Sequence, residues 1–131
     1  MPNPEADRAM QNLEQIRARN ALRCAKEDGG RISGPQGGEV INKIPSLILN
    51  HGLLATAAYA YTQKEGWQLL FNHIARHLAD PDIAIVDARI SEHTGLMDYL
   101  TGTSATSETL KLATAETLAW LGYARRFVRK D

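Results

Sequence analysis

Residues 67–78 decide the fold class, and they read Trp-Gln-Leu-Leu-Phe-Asn-His-Ile-Ala-Arg-His-Leu. Apolar side chains recur here at the i, i+3, i+4, i+7 and i+11 spacing of one helical face. These residues are Trp67, Leu70, Phe71, Ile74 and Leu78. Asp80-Pro81-Asp82 then ends the segment. The pattern predicts an amphipathic helix whose apolar side packs into a core.

The C-terminal segment carries a second stripe of this kind, on a helix predicted from about Glu108 to Arg129. The serines and threonines of residues 103–107 are suited to cap its start. Its apolar positions are Leu110, Ala113, Thr117, Trp120, Leu121, Ala124 and Val128. Together the two stripes predict a core that contains Trp67, Phe71, Ile74, Leu78, Leu110, Trp120, Leu121 and Ala124.

The N-terminal segment predicts a long helix from Pro4 to about Asp28, without an interior glycine or proline. Gly29-Gly30 is expected to stop it. Five of the ten glycines fall within residues 29–38, so this stretch is predicted to be a flexible loop.

The remaining breaks divide the middle of the chain into shorter helices. Pro45 is expected to interrupt a helix that begins at Glu39, leaving two pieces, 39–43 and 46–50. Further helices are predicted over 53–63, mostly buried, and over 96–100, with Gly66 as a break between the 53–63 helix and the Trp67 helix.

Residues 83–90 are rich in isoleucine and valine and could form a short strand. We predict helix or irregular structure instead, because no partner strand is evident elsewhere. The sequence therefore predicts an all-α protein, with residues 1–131 forming one helical bundle of six to seven helices.

Composition restricts the class of function. Fifteen basic and fifteen acidic residues give zero net charge, so any contact with a polyanion must use a local patch. Cys24 is the single cysteine, which excludes an intrachain disulfide and suits a reducing compartment. Neither a secretory signal nor an apolar run long enough to span a bilayer is visible. We therefore expect a cytoplasmic protein.

No catalytic motif stands out, and we expect neither an enzyme nor a cofactor. His73 and His77 have the i, i+4 spacing of a metal pair, but Ile74 occupies the position where a zinc protease needs glutamate. The alternative is a pair of partly exposed, hydrogen-bonded histidines. Cys24 lies on an apolar stripe, where an inert thiol is the ordinary case.

The first helix carries a basic stripe within a sector of roughly 80°. Such a stripe can follow a phosphate backbone, but it can equally be an ordinary solvated face. Its members are Arg8, Asn12, Gln15, Arg19, Arg23 and Lys26.

The last helix ends in a second basic cluster that includes Arg125 and Arg126. The helix dipole favours basic residues at this position whatever the function.

Two stretches resemble a known family, the small subunit of the type III-B CRISPR (Cmr) effector complex. Residues 43–55 read Lys-Ile-Pro-Ser-Leu-Ile-Leu-Asn-His-Gly-Leu-Leu-Ala. They are similar to a segment of this family in which a lysine, a proline and an apolar run precede a helix that starts at glycine-leucine. Residues 113–127, with Glu116, Trp120-Leu121 and Arg125-Arg126-Phe127, are similar to its closing helix.

The resemblance implies a non-catalytic subunit, present in several copies beside other Cmr subunits and along the guide RNA and target RNA. It implies that basic side chains contact RNA phosphates. We expect Lys43, Arg19, Arg23 and Lys26 to do so first, and Arg125 and Arg126 second. Two alternatives stay open: a helical protein–protein adaptor without a nucleic-acid role, and a metal-dependent enzyme built around His73 and His77.

Overall fold

The computed structural model describes residues 4–34 and 39–128, with side chains from residue 13 onward. Six helices account for most of this part of the chain, and it contains no strand. The helices are α1 (Pro4–Ile32), α2 (Val40–His51), α3 (Leu53–Tyr61), α4 (Glu65–Ala79), α5 (His93–Thr101) and α6 (Ser107–Val128). The prediction of an all-α bundle is confirmed.

The core forms where the apolar stripes of α4 and α6 face the other helices. Every residue of the predicted core is buried except Leu110, which is only half-buried. Ile41, Ile44 and Ile48 of α2 complete the core, together with Leu96 of α5. Each such side chain contributes about 1.5–3 kcal/mol when it is fully buried.

α1 lies antiparallel to both α4 and α6. Along α4, Asp28 bonds His73, while Arg31 faces Glu65 at the start of the helix. Along α6, Tyr123 donates a hydrogen bond to Glu14 over a distance of 3.1 Å. α2 packs against the same two helices, α4 and α6, and makes few direct contacts with α1. α1 and α2 are therefore diagonal members of the bundle.

Gly29-Gly30 does not end α1, as the sequence had suggested. The helix continues to Ile32, because that side chain is fully buried and its packing outweighs the low helix propensity of glycine. Gly34, with a φ of 67°, follows the end of the helix. Residues 29–32 are thus helical rather than part of a loop, and residues 35–38 of the predicted loop lie outside the described residues.

Pro45 does not divide α2, and this prediction was also wrong. The helix runs without a break from Val40 to His51, with the proline inside it. Ile41, Ile44 and Ile48 place their side chains on one buried face, which stabilises the helix against the loss of the proline N–H.

Several smaller predictions need correction. Gly66 lies in the first turn of α4 rather than before it. Helix α5 begins at His93, earlier than expected. α3 is buried on one side only, since Tyr59 and Tyr61 are exposed.

Residues 83–90 are irregular, as predicted. Arg129, the predicted end of the last helix, lies outside the described residues.

Candidate nucleic-acid interface

The outward face of α1 carries the basic stripe that the sequence indicated. Gln15, Arg19, Arg23 and Lys26 are all exposed. Ile16, Asn20 and Cys24 lie next to the stripe, on the buried side of the helix. The side chains of Arg8 and Asn12 lie outside the described residues. The described part of the stripe is therefore accessible from solvent.

Two of these cations have acidic neighbours. Arg19 donates from Nη2 to Oδ2 of Asp80 over 3.1 Å, and Arg23 Nε lies 4.0 Å from Oε2 of Glu27. No described carboxylate forms an ion pair with Lys26. The Arg23–Glu27 pair is exposed, and since such pairs contribute only about 0–1 kcal/mol, a phosphate can replace Glu27 at little loss of stability. Asp80 is mostly buried and also accepts a hydrogen bond from Asn20.

A buried polar network holds α1 against α4 and α6 and so orients the stripe. Arg17 donates from Nε and Nη2 to the two carboxylate oxygens of Glu116, each over 2.7 Å. Oε2 of Glu116 also lies 3.0 Å from Nε2 of His77, and Nδ2 of Asn20 lies 2.9 Å from Nδ1 of the same ring. The four residues join three helices across the core.

The contacts of His77 decide its tautomer. The Asn20 amide nitrogen can only donate, so Nδ1 of His77 accepts and Nε2–H donates to Glu116. The ring also stacks on Trp120, with centroids 5.6 Å apart. Both edges of this imidazole are engaged within the protein.

His73 is engaged in a similar way. Its Nε2 lies 2.6 Å from Oδ2 of Asp28, and Arg76 donates to Nδ1 over 3.4 Å. Burial lowers the pKa of the ring, and the hydrogen bond with Asp28 only partly opposes that effect. His73 and His77 are hydrogen-bonded as the alternative interpretation held, but they are buried rather than partly exposed.

The described side chains include no group of three or more His, Cys, Asp or Glu residues suited to hold a metal ion. Cys24 is fully buried, as expected for an inert thiol. Burial, together with the charge of Asp28, raises its pKa to about 12. The thiol is therefore neutral at physiological pH and is not a nucleophile in this state.

Acid is expected to weaken the fold through Glu116. Burial alone would raise its pKa, but the hydrogen bonds from Arg17 and His77 outweigh burial and lower the pKa from 4.5 to about 2. This stabilisation is fully present above pH 4.5 and is lost as pH falls toward 2. Urea titrations across this window should show a steeper loss of unfolding free energy in the native chain than in Glu116→Gln. Parallel pH profiles would contradict the prediction.

Lys43 is exposed on α2. It lines an open groove of about 470 Å³ between α2 and the turn that joins α3 to α4. The groove is also lined by Asn42, Ser46, Leu47, Tyr59, Gln63, Lys64 and Trp67.

Arg125 and Arg126 are exposed in the last turn of α6. No described carboxylate forms an ion pair with either residue. Both occupy the end of the helix where the dipole favours cations, so their position alone does not indicate a ligand.

The six candidate residues do not form one surface. Arg19, Arg23 and Lys26 are exposed on α1, whereas Lys43 is exposed on α2, which makes few direct contacts with α1. Sequence reasoning also missed Lys64 and Tyr59, which line the groove with Lys43. Residues 59 and 64 show no pattern with residue 43 along the chain, because only the packing of α2 on α3 and α4 brings them together.

Comparison with protein families decides the identity. The model of the Cas_Cmr5 family of CRISPR-associated proteins matches residues 13–130, nearly the whole chain. The chain belongs to this family. No curated protein and no solved structure matched it.

Membership of the Cas_Cmr5 family confirms the resemblance to the Cmr small subunit. Both stretches that carried the resemblance, 43–55 and 113–127, lie within the matched region. The family makes the chain a CRISPR-associated subunit of a Cmr complex, with other Cmr subunits as partners. Within the part of the chain that the structure describes, no helix is both long enough and apolar enough to cross a bilayer.

Proposed function

We propose that this Cas_Cmr5 protein is a non-catalytic subunit that supports the guide RNA–target RNA duplex in antiviral defence. Copies of the chain would stack along the complex and contact RNA phosphates. The observation that carries the proposal is the exposed row of Arg19, Arg23 and Lys26 on α1. The partly buried Arg17–Glu116 pair joins α1 to α6.

A local row of cations suits contact with a backbone rather than with bases. Phosphate contacts position a protein on a nucleic acid without reading its sequence. Since the net charge is zero, other faces remain free to meet neighbouring subunits without strong repulsion. A subunit beside guides of many sequences needs this combination.

The ionisable side chains of the core are bonded to one another or buried, which supports a non-catalytic role. Glu116 and His77 are paired with each other, His73 is paired with Asp28, and the Cys24 thiol is buried. A general base or nucleophile must reach a substrate, which these groups cannot do while they hold the helices together.

Salt-dependent RNA binding tests the proposal. The isolated chain should bind single-stranded RNA weakly, with a slope of log K against log[salt] of roughly −2 to −3, as three to four neutralised phosphates would give. Replacing Arg19, Arg23 and Lys26 together by alanine should flatten this slope by about 2 units. Fluorescence anisotropy at several salt concentrations measures the slope, and circular dichroism checks that helix content is unchanged.

A matched control removes the same charge elsewhere. The triple variant Arg31→Ala, Arg89→Ala, Lys111→Ala also loses three exposed cations, but none of them lies in the α1 stripe. It should retain most of the salt slope. If both triple variants lost the slope equally, binding would reflect overall charge, and the assignment to α1 would be wrong.

A protein–protein adaptor without a nucleic-acid role is the second candidate. Large apolar side chains are exposed on several helices, including Leu49 at 72%, Tyr61 at 58% and Leu112 at 52%. Where such residues form a contiguous patch, the surface is typical of an interface with another protein. If the α1 triple variant abolished assembly of the complex and left RNA affinity unchanged, this second function would replace the first.

A further inference from the structure

The groove that contains Lys43 adjoins a second cavity of different character. This smaller pocket has a volume of about 300 Å³ and an almost wholly apolar lining. It is lined by Leu47, His51, Ala55, Thr56 and Tyr59. Leu47 and Tyr59 line both cavities, so a polar groove and an apolar pocket share one wall.

The shared wall is held in place from two sides. Tyr59 packs edge-to-face on the buried Trp67, with ring centroids 5.5 Å apart, and is 51% exposed. Gln68 donates from Nε2 to the carbonyl oxygens of Ala60, over 2.6 Å, and Gln63, over 2.9 Å. These bonds tie the end of α3 to the start of α4. The aromatic ring is thus presented to solvent on a rigid support.

The groove that contains Lys43 is cationic. It holds Lys43 and Lys64 with the amides of Asn42 and Gln63, and none of the lining residues is acidic. The nearest acid along the chain, Glu65, faces Arg31 instead, with 3.7 Å between Oε1 and Nη1. The groove therefore offers hydrogen-bond donors and positive charge to an anion.

We propose that the two cavities together bind one unpaired nucleotide of an RNA strand. The base would occupy the apolar pocket against Tyr59, and its phosphates would lie in the groove near Lys43 and Lys64. Aromatic side chains beside a basic groove are the usual arrangement for single-stranded nucleic acids, since every base has a face that can stack. This inference rests on the proposed function and adds an RNA contact on α2, α3 and the start of α4.

An apolar side chain of a neighbouring subunit could also enter the pocket, but it would leave the groove unused. Two lysines that form no ion pair with a described carboxylate favour a partner with negative charge next to its apolar part. A nucleotide has this combination within a single unit, and its phosphates suit compact lysine charges.

The test compares two probes on the full chain: a short single-stranded oligouridylate and an abasic ribose-phosphate oligomer of equal length. Tyr59→Ala should weaken binding of the oligouridylate roughly tenfold and leave the abasic oligomer unaffected. Tyr59→Phe should retain the preference for the base. The double variant Lys43→Ala, Lys64→Ala should weaken both probes and reduce the salt slope by about 0.7, which corresponds to one phosphate. Tyr61→Ala, another exposed tyrosine, should change neither.

The outcomes separate this inference from the proposed function. If Tyr59→Ala leaves the preference for oligouridylate over the abasic probe unchanged, the nucleotide site is wrong. If the α1 triple variant still flattens the salt slope in that case, the proposed function stands without the site. Normal RNA binding by Tyr59→Ala with impaired assembly of the complex would instead assign the pocket to a protein partner and overturn the inference. Absence of RNA binding by the native chain, alone and in the complex, would overturn both.

Discussion

Glu116→Ala is expected to lower the free energy of unfolding by about 3 kcal/mol, near the lower end of the range for breaking a buried ion pair. The carboxylate accepts hydrogen bonds from Arg17 at 2.7 Å and from His77 at 3.0 Å. Its removal leaves a partly buried guanidinium and a buried imidazole N–H without a partner. It also removes the link that joins α1, α4 and α6.

Glu108→Ala provides the control on the same helix. Glu108 is exposed in the first turn of α6, where its interaction with the helix dipole contributes about 0.3–1 kcal/mol. Urea unfolding followed by circular dichroism compares both variants with the native chain. A loss below 1 kcal/mol for Glu116→Ala would mean that Arg17 and His77 find other partners, and that the network does not hold α1 in place.

The network also links stability to the proposed RNA contact. Arg17 and Asn20 of α1 bond Glu116 and His77, and Asn20 shares Oδ2 of Asp80 with the exposed Arg19. A change that loosens these bonds should allow Arg19 and Arg23 to rotate away from a shared phosphate path. Glu116→Ala should therefore weaken RNA binding at a temperature where it is still folded, although Glu116 is too buried to contact RNA itself.

The apolar stripes of α4 and α6 were predictable because a helical period is a local property of the sequence. Trp67, Phe71, Ile74 and Leu78 repeat at intervals that only a helix can bring to one side, and all four are buried. The boundaries were less predictable. Burial of Ile32 stabilises α1 beyond Gly29-Gly30. This burial depends on the other helices, so the helix propensities of residues 29–32 do not predict it.

The candidate site was likewise only partly predictable from the sequence. The outward orientation of Arg19, Arg23 and Lys26 follows from their angular positions on one helix, so the sequence was sufficient to predict it. The groove at Lys43 was not predictable, because it is assembled from α2, the end of α3 and the start of α4. The pairing of Glu116 with Arg17 spans 99 residues and likewise leaves no local signal.

Pro45→Ala is expected to stabilise the fold by about 2 kcal/mol. Proline in a helix interior is about 3 kcal/mol less favourable than alanine, because it lacks the N–H and its ring clashes with the carbonyl four residues earlier, here that of Ile41. Alanine gives the unfolded chain more freedom, which offsets about 0.4–1 kcal/mol of this gain. Since Lys43 remains on the same flank of α2, RNA affinity should change little.

Pro81→Ala is the matched control, because Pro81 lies in the exposed turn after α4 rather than inside a helix. Without a helical hydrogen bond to restore, this variant should be neutral or slightly destabilising. Urea midpoints for both variants, at an unchanged m value, decide the result. If Pro45→Ala were destabilising, packing of the half-buried proline ring would outweigh the strain on α2. The proline would then hold α2 in a shape that the neighbouring groove requires, and RNA affinity should fall together with stability.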